Sequence, residues 1–175
     1  SEQIAQMEEH KDNINYDVAE QREREVRHDV MSHVYAYSKQ CPLAEPIIHL
    51  GATSCYVGDN TDVIILKKAS EIIIKKAAQV IKNLAEFAKK YKAMPCLAYT
   101  HLQPAQLTTV GKRATLWIYE LSEDIKVLDY HLNNLKLLGS KGTTGTQASF
   151  MELFDGDEEK VKKLEDLIAK EMDFN

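Results

Sequence analysis

Two long stretches, residues 60–92 and 108–138, run without a proline and repeat apolar residues at steps of three and four. In the first, Leu66, Ala69, Ile73, Ala77, Val80, Leu84, Ala88 and Tyr91 share one helical face, and Ile64, Ile65, Ile72, Ile74 and Ile81 widen it. A stripe that wide belongs to a helix buried on more than one side. In the second, Ala114, Ile118, Leu121, Ile125, Leu128, Leu132 and Leu135 alternate steps of four and three, which suits near-parallel helix packing. A helix of about 30 residues reaches roughly 45 Å at 1.5 Å per residue, so an extended helical bundle is expected. The fold class is therefore all-α.

The remaining chain divides around these stretches. Residues 1–38 read as helix with a break near Asn13–Asp17, since Val26, Val30, Val34 and Tyr37 recur at helical spacing. This reading carries Arg27-His28-Asp29 on the second helical piece. Pro42 and Pro46 then punctuate a connection to His49-Leu50-Gly51-Ala52-Thr53-Ser54, too rich in small residues for a helix interior. Asp59 and Asn60 are read as the cap of the first long helix. Pro95 and Pro104 bound a non-helical segment, and Gly139 is read as the C′ residue of the second long helix. A polar loop, Ser140 to Gln147, precedes shorter helices near 148–154 and 157–170. Two domains are expected: residues 1–50, part of an N-terminal helical domain, and residues 51–175, the first part of a long-helix bundle. The chain opens on Ser1 without a Met and closes within a helical pattern, so both ends are expected to be boundaries within a longer protein.

Composition excludes some functions. A net charge of -5 argues against non-specific binding of nucleic acid or an anionic membrane, which needs clustered Lys and Arg. No apolar run approaches a membrane span. Cys41, Cys55 and Cys96 are an odd number without ligand spacing, as expected of reduced thiols in a cytoplasmic protein.

Four patches concentrate unusual polar residues. Arg27-His28-Asp29 fits a solvated helix face as well as a ligand contact, and His28 and His33 miss the i, i+4 spacing of a helical metal pair, so no metal is expected. Gly51-Ala52-Thr53-Ser54 offers N–H groups and short hydroxyls to a carboxylate or phosphate, or simply turns the chain. Thr100-His101-Leu102-Gln103-Pro104 places an imidazole, able to act as acid or base near neutrality, between two long helices. Lys141 to Thr146 joins a cation to two glycines and three threonines, in a ligand-facing loop or a surface one.

Taken in order, the blocks around these patches closely resemble adenylosuccinate lyases of the animal type, members of the fumarase/aspartase superfamily. The likeness is carried by Arg27-His28-Asp29-Val30-Met31, His49 to Asp62, Thr100-His101-x-Gln103-Pro104-Ala105-Gln106-Leu107-Thr108-Thr109, and Lys141-Gly142-Thr143-Thr144-Gly145-Thr146-Gln147. It extends from about residue 20 to the end. The resemblance implies an N-terminal helical domain followed by a bundle at the centre of a homotetramer, each active site drawing on three subunits.

The implied reaction is β-elimination of fumarate from adenylosuccinate, giving AMP, and from the succinyl-carboxamide ribotide of purine biosynthesis. No cofactor or metal is implied. His101 matches the family's general acid; Arg27, His28, Asp29, Thr53, Ser54, Thr100 and Lys141 match substrate-binding positions. The family's general base is a Ser in a Ser-Ser-x-Met-Pro-x-Lys-x-Asn-Pro loop, a string absent from these residues. The chain is thus expected to be an N-terminal piece, inactive by itself. Two alternatives stand beside this: another lyase of the superfamily, or a helical scaffold without the chemistry.

Overall fold

The computed structural model describes residues 1–174; Asn175, at which the expected bundle domain ends, lies outside the described residues. Among the described residues there are seven helices and one two-stranded antiparallel sheet, in the order α1 (Glu2–His10), α2 (Tyr16–Val26), α3 (Asp29–Gln40), α4 (Ser54–Lys90), β1 (Pro95–Thr100), β2 (Gln103–Thr109), α5 (Val110–Asn133), α6 (Ala148–Leu153) and α7 (Glu158–Glu171). Among them, no helix is long and apolar enough to cross a membrane.

Contacts divide the chain into two compact units: Ser1–Ile64 together with the stretch from Lys136 onward, and Ile65–Leu135. In the first unit, α2 packs on α3 through small residues, with Ala19 and Ala36 buried. Polar links then tie α1 to the end of α3: the Tyr37 hydroxyl donates to the Met7 carbonyl at 2.7 Å, and Gln6 Oε1 accepts from the Leu43 N–H at 2.9 Å. Cys41 and Ala44 are fully buried in the turns that follow. Burial pushes the Cys41 thiol above its ordinary pKa.

The second unit contains most of α4, the hairpin and α5. Gly111, at the start of α5, donates its N–H to the Tyr91 carbonyl at 3.0 Å, and Val110 donates to the Met94 carbonyl at the same distance. Thr109 caps α5, its hydroxyl accepting from the Lys112 N–H at 3.1 Å. The hairpin pairs Pro95 with Thr109 at its base and Thr100 with Gln103 at its tip, with an irregularity between Leu97 and Tyr99.

Several sequence expectations are corrected here. α4 begins at Ser54 and passes straight through Asp59 and Asn60, so neither caps it. The segment between Pro95 and Pro104 is not merely non-helical: it forms most of the hairpin. α5 stops at Asn133, short of the expected Leu138, because Asn134 turns its side chain back to the Tyr130 carbonyl at 2.7 Å. Gly139 accordingly lies in a loop, not at a helix end.

Candidate active site

The expected site residues fall in both units. In the first unit, the Arg27-His28-Asp29 triplet is not on a continuous helix. Arg27 ends α2 in the left-handed region at φ 51°, and its N–H bonds the Glu23 carbonyl. His28 is extended and caps α3, its Nδ1 accepting from the Met31 N–H at 3.3 Å. His28 Nδ1 also lies 3.7 Å from Asp29 Oδ1. The break between α2 and α3 leaves Arg27, His28 and Asp29 all exposed. Asp29 also lines a largely apolar cavity of about 550 Å³ with His33, Tyr37 and His49.

Thr53 lies immediately before α4 and Ser54 is its first residue. Facing them is the loop from Gly139 to Gln147. The Thr53 and Thr143 hydroxyls are 3.2 Å apart, and the Ser149 hydroxyl donates to the Gly51 carbonyl at 2.8 Å. Tyr56 meets Phe150 edge-on at 6.0 Å between ring centroids, and burial raises the Tyr56 pKa. The loop closes on itself, Gly142 donating to the Thr146 carbonyl at 2.7 Å and Gly145 to the Gly142 carbonyl at 2.9 Å. Lys141 stands exposed at its start. The Thr53 and Thr143 hydroxyls therefore meet directly, and Ser54 and Lys141 are next to Thr53 and Gly142 along the chain.

Reading the sequence offered the threonines after Lys141 as a group without picking out Thr143, and did not foresee that Asn60 bonds the Gly139 backbone at the start of this loop. Asn60 was disguised as a helix cap, and Thr143 was only one of several threonines in a Gly-rich loop. Ser140 and Gln147, in the same loop, each keep a buried side-chain polar atom without a partner, Oγ and Nε2 respectively.

In the second unit, Thr100 pairs with Gln103, so His101 and Leu102 are the two residues of the hairpin turn. Both have positive φ, 48° and 64°, the backbone of a tight two-residue turn usually built from Asn-Gly. His tolerates this region better than most side chains, whereas a branched apolar residue does so rarely. The turn holds the His101 ring out at the tip, exposed, and Leu102 is 98% exposed.

A family model described as lyase matches residues 2–169. Among curated proteins, the adenylosuccinate lyase of Saccharomyces cerevisiae is 49% identical over 99% of this chain and 36% of its own length. That of Schistosoma mansoni is 48% identical over the same shares, 99% and 36%. Among solved structures, the fumarate lyase from Mesorhizobium sp. BNC1 superposes with a TM-score of 0.82 at 20% identity, covering 99% of this chain and 40% of that one. That last likeness is one of fold. The chain spans just over a third of the length of these curated relatives. With nearly all of its residues matched, the chain belongs to the lyase family.

Proposed function

We propose that the protein containing these residues is an adenylosuccinate lyase. It eliminates fumarate from adenylosuccinate, giving AMP, and from succinyl-aminoimidazole-carboxamide ribotide. The observation that carries the reading is near-half identity to adenylosuccinate lyases along almost the whole chain, with the four site blocks in order. The fold alone would admit other fumarate-releasing enzymes, and turnover of adenylosuccinate against argininosuccinate separates them.

In the proposed reaction a base removes a proton from the succinyl carbon next to a carboxylate. The C–H electron pair becomes the new C=C bond of fumarate. The C–N bond breaks, its electrons stay on nitrogen, and His101 protonates that nitrogen. An exposed imidazole on a fixed turn suits this role, since the donor must hold a proton near neutral pH yet release it. Arg27, His28, Asp29, Thr53, Ser54, Thr100 and Lys141 bind the substrate, the hydroxyls and Lys141 serving its anionic groups. The base lies on a Ser-bearing loop that is not among these residues. The enzyme works as a homotetramer in the cytoplasm, without a metal or organic cofactor.

The test is His101→Gln in the full-length enzyme. Gln keeps a polar side chain of similar reach but transfers no proton, so kcat should fall by about 10²-fold or more with assembly intact. Near-normal kcat would remove His101 from the mechanism and turn attention to His28.

A further inference from the structure

The segment entering α4 and the loop after α5 run alongside each other in opposite directions. Three polar links join them: Gly51 to Ser149, Thr53 to Thr143 and Asn60 to Gly139, so rising numbers on one side meet falling numbers on the other. The first two links lie in exposed surroundings. The third is of a different kind. Asn60 is only 8% exposed, and its amide uses both ends on the backbone of one glycine. Nδ2 donates to the Gly139 carbonyl at 3.2 Å, and Oδ1 accepts from the Gly139 N–H at 3.1 Å. Nδ2 also donates to the Tyr56 carbonyl at 2.7 Å, so the amide is anchored on its own helix as well.

Gly139 is pinned from the other side too. Its φ is +83°, and a Cβ there would lie 2.5 Å from Glu165 Oε1. That same carboxylate oxygen accepts from the Ser140 N–H at 3.2 Å. The Gly139 carbonyl accepts a second bond, from the Lys141 N–H at 3.1 Å. The oxygen that Asn60 holds is thus the one that fixes the backbone of Lys141. Beyond it the loop is braced by its own Gly142 and Gly145 bonds, so residues 139–141 are its part-buried anchor, with the exposed Thr53–Thr143 and Gly51–Ser149 links further along.

We propose that Asn60 is a positioning residue, whose amide sets the Gly139–Lys141 backbone and so holds the loop that carries Lys141 and that sets Thr143 beside Thr53. This rests on the reading that Thr53 and Lys141 bind the substrate. An apolar replacement would leave the Gly139 N–H and two carbonyls short of a partner. An Asp would keep the acceptor for Gly139 but set a carboxylate against the carbonyls of Tyr56 and Gly139. Either change frees the loop to shift, and substrate groups bound on both sides of the seam lose their register.

The experiment uses the full-length enzyme with adenylosuccinate, measuring kcat, KM and the melting temperature of Asn60→Ala, Asn60→Ser and Asn60→Asp. KM should rise about tenfold, with a smaller change in kcat, as expected when ground-state binding is lost. In a Lys141→Ala/Thr143→Ala background, Asn60→Ser should add less than about twofold, because residues acting through one another are not additive. Three results would overturn the proposal. If Asn60 variants melt lower but keep KM within about twofold, while Thr53→Ala and Lys141→Ala raise it, Asn60 is structural and the substrate reading stands. If the Asn60 effect is undiminished in the double-variant background, it does not act through the loop. If Thr53→Ala and Lys141→Ala leave KM unchanged, the substrate reading itself falls and takes the proposal with it. Should Asn60→Ala not fold, the Ser and Asp variants carry the comparison.

Discussion

A Cβ at Gly111 would sit 2.4 Å from the Ala88 carbonyl oxygen and 2.8 Å from the Lys92 N and Cα atoms. All three are backbone atoms, which cannot swing aside as the end of a side chain can. Gly111→Ala is therefore expected to force apart the end of α4 and the start of α5, destabilising by about 1–3 kcal/mol as overpacked sites do. A urea midpoint equal to that of the parent would contradict it. Single residues of this kind were the least legible in the sequence. Gly111 read as an unremarked member of a helix, since nothing in a string says which backbone it will touch. Asn60 looked like a cap because Asn beside Asp near an apolar run is the usual sign of one. Its real partner, Gly139, is 79 positions away, beyond the reach of any local pattern.

At the scale of elements, the long helices were legible because their apolar spacing extends over many turns, while their ends were not. α4 starts earlier than expected because Ser54 to Gly58 hold a helical turn once packed, whatever their weak propensity. The hairpin went unread because its turn is His101-Leu102 rather than a Gly-containing pair. That choice has a measurable consequence. Leu102→Gly should relieve left-handed strain and stabilise the hairpin by about 0.5–1 kcal/mol, after allowing for the glycine's greater freedom when unfolded. A lowered melting temperature would argue against the strain. At α7, the Asp157 carboxylate accepts from the Lys160 N–H at 3.1 Å and lies 3.3 Å from Lys160 Nζ. The backbone bond first, and the side-chain bond next, hold its pKa below the ordinary 3.8. A lowered folded pKa means the cap's contribution is complete above the ordinary value and is lost as pH falls through the folded one. Asp157→Asn should flatten that part of the acid limb of a melting-temperature profile; an unchanged limb would show that the cap does not govern it.

Over the whole molecule, the buried core consists mainly of small residues such as Ala19, Ala36, Cys41 and Ala44, while Ile72, Ile73, Leu116, Trp117 and Tyr130 are each more than half exposed. Exposed apolar stripes of that kind drive association. The 175-residue chain is expected to dimerise or form larger assemblies at micromolar concentration, and light scattering that returns a 19.9 kDa monomer would refute this. The breadth of those stripes was visible in the sequence from the start, as the surplus of isoleucines around the main face of α4. Their exposure depends on how little of the rest of the chain covers them, which periodicity does not encode.

The pairing of Asn60 with Gly139 also imposes a timetable on synthesis. A ribosome adding about 5–20 residues per second needs roughly 4–16 s to travel the 79 positions between them. Glu165, the other clamp on that loop, emerges later still. During that interval the hairpin and its junction with α5, whose partners are close in sequence, can form while the Asn60 amide still lacks Gly139. Any delay in translation between the two positions would lengthen the time for which Asn60 and its neighbours are offered to other chains.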